Sequence, residues 1–168
     1  MNKTIKAFLL LILFSFGVPF HCWSQNVGNN YKALSKEAYT VRFNVIRQDT
    51  AYFIITTVMS NRMTFLNNPT MKIRTFKDSV LTLSGNNIGS GSTSAGIVAG
   101  NVIAPITSIY TNAQFPVTPE VFELLRDGVA KIRLSMMPIN HERVFKKDKI
   151  GGKLYELYLK VKEESENF

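Results

Sequence analysis

Several short stretches of the chain alternate apolar and polar residues with a period of two, and this pattern constrains the fold more than any other feature. The clearest case is TMKIRTFKDSVLTLSG at residues 70–85. Its two alternating sets are Met71, Ile73 and Thr75 on one side and Lys72, Arg74 and Phe76 on the other. This alternation is typical of a strand with one buried face. The polar tripeptide Lys77-Asp78-Ser79 predicts a turn into a returning strand.

A second hairpin is predicted upstream of the first. EAYTVRFNVIRQ alternates through Tyr39, Val41, Phe43 and Val45. AYFIITTVMS, at residues 51–60, is rich in β-branched and aromatic residues, which favour strands. The tripeptide Gln48-Asp49-Thr50 separates the two runs and predicts the turn between them.

The best-delimited helix is predicted at residues 118–127. Thr118 suits the N-cap, Pro119 suits the first helical position, and Gly128 suits the left-handed C-terminal position. A period of two then returns, with Ala130, Ile132, Leu134 and Met136 facing one way and Lys131, Arg133 and Ser135 the other. We therefore predict a strand after the helix and a further strand at residues 139–146.

Three segments are less regular. The last one, KLYELYLKVKEESENF, fits a helix or a strand by its spacing, and we predict a helix because it is long and ends in Lys and Glu. Residues 85–96, GNNIGSGSTSAG, are small and polar, and predict a flexible loop or a wide connection at the rim of the sheet. Residues 102–110 predict a strand that Pro105 places at an edge or a bulge.

Together these elements predict an α+β fold. We expect a mainly antiparallel β-sheet, with a sandwich as one arrangement, one packed helix near residues 118–127 and a C-terminal helix.

The first residues have the composition of a secretory signal. Lys3 and Lys6 precede an apolar run at residues 7–16, which is shorter than the roughly 20 residues that a membrane span needs. We predict a signal peptide at 1–24, a flexible leader at 25–37 and a single domain at 38–168. The protein is then periplasmic or secreted, with acylation of Cys22 as the alternative that would anchor it to lipid.

Little catalytic chemistry is available after cleavage before Gln25. The mature chain has no cysteine and no tryptophan, and His141 is its only histidine. A zinc site built from Cys and His lacks ligands, so we predict no metal and no cofactor. The Gly/Ser-rich segment has neither the lysine of a P-loop nor a Gly-x-Ser-x-Gly elbow. We interpret His141 as a surface residue and predict that the protein is not an enzyme; the alternative is a hydrolase using His141 or a pair of carboxylates.

The net charge points to an anionic partner. The whole chain carries +8, and Lys3 and Lys6 account for two of these charges, so the mature form carries +6. The late excess comprises Lys131, Arg133, Arg143, Lys146, Lys147, Lys149 and Lys153, with only Glu142 and Asp148 against them, and the first six are the candidate binding residues. We predict that these residues share a patch that binds an envelope protein or an anionic glycan or lipid surface. A solvated face that keeps the protein soluble is the simpler interpretation of the same charge, and we favour it unless binding is shown. No nucleic-acid-binding pattern is present, so we predict no nucleic-acid partner.

Two stretches, MKIRTFKDSVLTLSG and AQFPVTPEVFELLRDGVAKIRL, resemble a layout found in small exported bacterial proteins of unknown function. In that layout a hairpin precedes a segment of the form a-FPls-e-l--L--Gv-kiRi and a C-terminal helix. This chain differs in having Lys77-Asp78-Ser79 where the layout favours Asp-Gly. The resemblance implies an exported domain, and we expect a non-catalytic binding or structural module of the cell envelope.

Overall fold

The computed structural model describes residues 29–32, 40–61, 64, 66–99, 102–137 and 140–166. Within them the strands are β1 Asn29–Lys32, β2 Thr40–Gln48, β3 Ala51–Ser60, β4 Thr70–Thr75, β5 Val80–Ser84, β6 Asn86–Ala99, β7 Val102–Val117, β8 Val129–Leu134 and β9 His141–Val144. The helices are α1 Pro119–Leu125, between β7 and β8, and α2 Gly151–Glu166, after β9.

The described strands form two antiparallel sheets. The large sheet has the order β1-β2-β3-β7-β6, and the small sheet has the order β5-β4-β8-β9. Apolar side chains from both sheets and both helices join in one buried cluster. The predicted α+β, sandwich-like fold is confirmed.

Both predicted hairpins are confirmed with the expected faces. In the large sheet, Phe43 pairs with Thr56 and Val45 with Ile54, and all four side chains are buried. The turn contains Asp49 with a φ of 54°, which Asp tolerates better than most residues because its short side chain can bond locally. The partners of β4 and β5 run from Thr70–Ser84 to Arg74–Val80. Alternation of one apolar and one polar face therefore decides which side of each sheet meets the core.

The Gly/Ser-rich segment at 85–96 is not a flexible loop. It forms most of β6, which pairs with β7 along its whole length. The prediction is wrong because the main chain supplies the ladder hydrogen bonds, and small side chains do not prevent them. The chain passes from the small sheet to the large one at Gly85, where a Cβ would lie 2.6 Å from the Gln114 carbonyl oxygen and from the Phe115 ring.

The strand predicted at 102–110 is longer than expected and continues to Val117. Pro105 pairs with Gly96 of β6. The ladder between β3 and β7 starts only at Ile109, so Pro105 lies in a stretch that has one partner strand among the described residues. A missing backbone donor is tolerated there, as on any edge.

Both predicted helices are confirmed. α1 is followed by Gly128 with a φ of 82°, whose N–H donates to the carbonyl of Leu125. α2 buries Leu154, Leu157 and Tyr158 at helical spacing. The two helices meet where the Phe122 and Tyr158 rings stack with centroids 4.5 Å apart. This contact, next to Tyr52 of β3, places both helices on the core side of the large sheet.

Asp148 ties the start of α2 to the start of β8. Its Oδ1 accepts hydrogen bonds from the backbone N–H groups of Val129, Ile150 and Gly151, and its Oδ2 accepts one from Gly152. Burial alone would raise the pKa of Asp148, but these four donors outweigh it and lower the pKa below its ordinary value. The carboxylate therefore acts as a helix cap and as a link between two elements.

The predicted leader at 25–37 is corrected where it is described. Asn29–Lys32 forms β1, which pairs antiparallel with β2. An edge strand can add to a sheet through main-chain bonds alone, so its polar sequence gives no signal. The predicted signal peptide at 1–24, with Cys22, lies outside the described residues. No helix within the described part of the chain is both long and apolar enough to span a membrane.

Candidate functional site: a basic sheet face

The exposed face of the small sheet carries two neighbouring rows of cations. Lys72 of β4 lies opposite Arg133 of β8, and Arg74 lies opposite Lys131. These four residues are called the basic face below. Their neighbours in sequence, Met71, Ile73, Ile132 and Leu134, are buried. Arg133 is exposed and Lys131 is half-buried, and both lie on the solvent face through the same alternation that buries the core.

The pairing of like charges in the basic face opposes folding. Side chains directly opposite in an antiparallel pair have Cβ atoms about 5 Å apart, and like charges there are destabilising. A chain that breaks a local rule of this kind is expected to do so at a functional or strained position. Two such pairs lie side by side here.

Acidic side chains neutralise only part of the basic face. Lys131 Nζ lies 2.7 Å from Glu142 Oε1, and Arg74 Nε lies 2.9 Å from Asp78 Oδ1. Within the described residues, no salt bridge involves Lys72 or Arg133. Glu142 lies directly opposite Arg133 in the ladder between β8 and β9, but its carboxylate contacts Lys131. The basic face therefore has two cations in salt bridges and two whose hydrogen-bond donors are available to an anion.

The surface around Lys72 and Arg133 is a shallow depression of about 240 Å³. Its lining includes Ile73, Val80 and Glu142 beside the four cations. Val80 and Val144 flank the cations and are 65% and 54% exposed. The depression therefore offers cationic donors at its centre and aliphatic contacts at its sides.

The remaining residues of the predicted patch lie elsewhere. Arg143 of β9 pairs with Ile132, so its side chain lies on the core side of the sheet, opposite to Lys131 and Arg133. Alternation along β9 is the physical reason, and the predicted shared patch does not include Arg143. Lys146, Lys147 and Lys149 are exposed in the connection between β9 and α2.

Sequence reasoning missed Lys72 and Arg74 as site residues. Their exposure was predictable, because they alternate with buried Met71 and Ile73. Their position beside Lys131 and Arg133 was not predictable, because β4 and β8 are far apart in the chain. The late cluster of basic residues drew attention to one half of the surface only.

His141 is not a surface residue as predicted. Its side chain is 1% exposed and pairs across the sheet with Leu134. Burial, followed by the nearby Arg143 charge, lowers the pKa of His141 to about 4. The imidazole is therefore neutral at pH 7, and it lies on the opposite side of the sheet from the basic face.

Three aspartates that a hydrolase could have paired with His141 make their contacts elsewhere. Asp148 accepts four backbone hydrogen bonds, and Asp78 pairs with Arg74. Asp127 Oδ1 lies 2.7 Å from Lys77 Nζ. In the described ranges, no group of three His, Cys, Asp or Glu side chains is arranged to hold a metal ion.

Comparisons with known proteins found no matching family model, no similar curated protein and no similar solved structure. The functional argument therefore depends on the charges, contacts and shape of the surfaces described above.

Proposed function

We propose that the protein is an exported, non-catalytic binding module that holds an acidic glycan against the basic face. The observation that carries this proposal is the opposition of Lys72 to Arg133 and of Arg74 to Lys131 on an open sheet. A bound polyanion would relieve the repulsion within both pairs and gain charge-assisted hydrogen bonds.

The shape of the surface favours a glycan over other anions. Cations repeat every second residue along each strand, a spacing of about 7 Å, and lie about 5 Å apart between strands. An extended chain of acidic sugars can place successive carboxylates or sulfates across such a grid. The flanking Val80 and Val144 provide apolar contacts for the C–H faces of the sugar rings.

A binding titration with a matched control tests this proposal. The purified protein is titrated with polygalacturonate and with chondroitin sulfate. The test variant is Lys72→Gln/Arg133→Gln. The control, Lys153→Gln/Lys160→Gln, removes the same charge from exposed positions of α2. We expect the test variant to bind about 100-fold more weakly, since each lost charged contact costs about tenfold. We expect the control to change affinity by less than about threefold, and binding to weaken as salt is added.

Equal weakening in both variants would contradict the proposal, because it would show that only net charge matters. Tighter binding to vesicles of anionic lipid, or to an acidic peptide, than to either glycan would overturn the choice of partner.

Export is the second part of the proposal and has its own test. The protein is purified from its own host after separation of membrane, periplasm and medium, and its intact mass is measured. We expect a mass that begins at Gln25 in a soluble fraction. A mass that begins at Cys22 with acyl chains would make the protein a membrane-anchored lipoprotein instead.

A further inference from the structure

The outer face of the large sheet, on the other side of the sandwich from the basic face, contains a second candidate site. The surface here forms a cleft of about 670 Å³, within the range of small-molecule sites. Its lining includes Arg42, Asn44, Ile55, Thr57, Tyr110 and Asn112. Both helices pack on the core side of this sheet, so no described helix covers the cleft.

A bulge in β6 shapes one wall of the cleft. The pairing of β6 with β7 shifts between Asn87 and Gly89, where Gly89 has a φ of 149°. The Gly89 N–H donates to Asn87 Oδ1 at 2.8 Å, which supports the bulge. Bulges bend a strand and redirect the extra side chain. The extra residue is Ile88, which lines the cleft and is 50% exposed.

The polar groups of the cleft include several hydrogen-bond donors. Asn44 Oδ1 accepts the Val45 N–H at 2.9 Å, and Asn112 Oδ1 accepts the Thr57 hydroxyl at 2.8 Å. Each amide oxygen thus already accepts one hydrogen bond from the protein, and both NH₂ groups remain to donate to a ligand. Arg42 adds a guanidinium with five further donors.

These donors converge across one row of the sheet. Arg42 pairs with Thr57, and Thr57 pairs with Asn112 on its other side. Arg42 and Asn112 thus stand on either side of Thr57, about 10 Å apart at two strand spacings. The cleft lining contains one cation and no carboxylate. Its charge therefore matches a ligand with a single negative charge.

The rest of the lining fits the body of a sugar. The Tyr110 ring lies across Gly91, where an added Cβ would collide with the Tyr110 hydroxyl and lie 2.6 Å from Cζ. Gly91 therefore lets the ring lie close to β6 at the cleft wall. An aromatic ring and aliphatic side chains such as Ile55 and Ile88 can contact the C–H groups of a pyranose.

We propose that this cleft binds a carboxylated sugar, a uronic-acid unit, with its carboxylate between Arg42 and Asn112 and its ring against Tyr110. This site is separate from the basic face and does not depend on the function proposed for it. A single carboxylate suits one guanidinium, whereas a phosphate monoester carries more charge than the cleft offers.

The test uses digalacturonate, of which one uronate unit is expected to enter the cleft while the other projects into solvent. The control ligand is its dimethyl ester, which keeps the sugar body but removes both charges. Binding is followed by ¹H–¹⁵N NMR and calorimetry on the wild type, Arg42→Gln, Asn112→Ala and Lys72→Gln/Arg133→Gln. Arg42 is exposed and makes no salt bridge within the described residues, so Arg42→Gln is expected to leave the fold intact.

We expect digalacturonate to shift the amide signals of residues 42, 57 and 112. Arg42→Gln should weaken binding by about tenfold or more, and Asn112→Ala should act in the same direction. The wild type should bind the dimethyl ester about as weakly as the Arg42→Gln variant binds digalacturonate. The Lys72→Gln/Arg133→Gln variant should bind digalacturonate like the wild type.

Three results would overturn the assignment. These are equal binding of acid and ester, shifts confined to residues outside the cleft, and tighter binding of galactose 1-phosphate than of digalacturonate. Loss of polygalacturonate binding in the basic-face variant, with digalacturonate binding in the cleft retained, would show that the two sites are independent.

Discussion

Neutralising one cation of the basic face should stabilise the protein while it weakens binding. In Lys72→Gln the lost charge faces Arg133 across the ladder and lies two residues from Arg74. Coulomb's law in water gives about 0.8 kcal/mol for like charges 5 Å apart and about 0.6 kcal/mol at 7 Å. The salt bridge between Arg74 and Asp78 offsets part of this repulsion. We therefore expect the free energy of unfolding to rise by about 1 kcal/mol in 0.01 M salt.

The assay is urea unfolding at low and high salt. The gain should vanish in 1 M salt, where the screening length is about 3 Å. Lys160→Gln is the control, because Lys160 lies four residues from both Glu156 and Glu164 on α2 and its removal should give no gain. A loss of stability in Lys72→Gln, or a gain that does not depend on salt, would refute the reasoning.

Three further changes test the fold. Asp148→Ala removes four hydrogen bonds and should lower the free energy of unfolding by about 3 kcal/mol. A loss below about 0.5 kcal/mol, measured by urea unfolding, would contradict the role of Asp148 as a helix cap. Burial and the Arg143 charge lower the pKa of His141 from 6.5 to about 4. The neutral imidazole therefore stabilises the fold above pH 6.5, and this stability is lost as the pH falls towards 4. Thermal unfolding across this range should show the loss in the wild type and not in His141→Gln. In Gly151→Ala the new Cβ would collide with the Leu125 carbonyl oxygen and lie 2.9 Å from Val129 N. We therefore expect urea unfolding to show a free energy of unfolding about 2 kcal/mol lower than that of the wild type. A variant as stable as the wild type would refute this expectation.

The parts of the fold that local physics determines were predictable from the sequence. Alternation identified both hairpins and the buried face of each strand. The helix at 118–127 was recognised from Pro119 and Gly128, which suit its two ends. The C-terminal segment was ambiguous by spacing, and its burial of Leu154, Leu157 and Tyr158 shows why the helix wins. Leu154 and Leu157, three positions apart, lie on one face of a helix but would lie on opposite faces of a strand.

The parts that depend on distant partners were not predictable. β6 is small and polar, so nothing in its own sequence distinguishes a strand from a loop. Its ladder with β7 supplies the missing information. His141 looked like a surface residue between the polar Asn140 and Glu142, yet alternation along β9 turns it towards the core.

The candidate site divides in the same way. The exposure of Lys131 and Arg133 follows from the strand pattern, but the pairing with Lys72 and Arg74 needs the sheet order. The cleft on the large sheet depends on four strands and on the bulge at Ile88 in one of them, and no single segment of sequence contains it.

The most direct test of the account is an NMR titration of the ¹⁵N-labelled protein with a chondroitin sulfate hexasaccharide, following the arginine Nε–H signals and the backbone amides. We expect the first shifts in the Nε–H signals of Arg133 and Arg74 and in the amides of residues 72 and 131, and we expect these shifts to saturate together. The signal of Arg143 should not respond. Shifts that are centred on Lys146, Lys147 and Lys149, or spread evenly over all basic residues, would contradict the claim that the basic face is the binding surface.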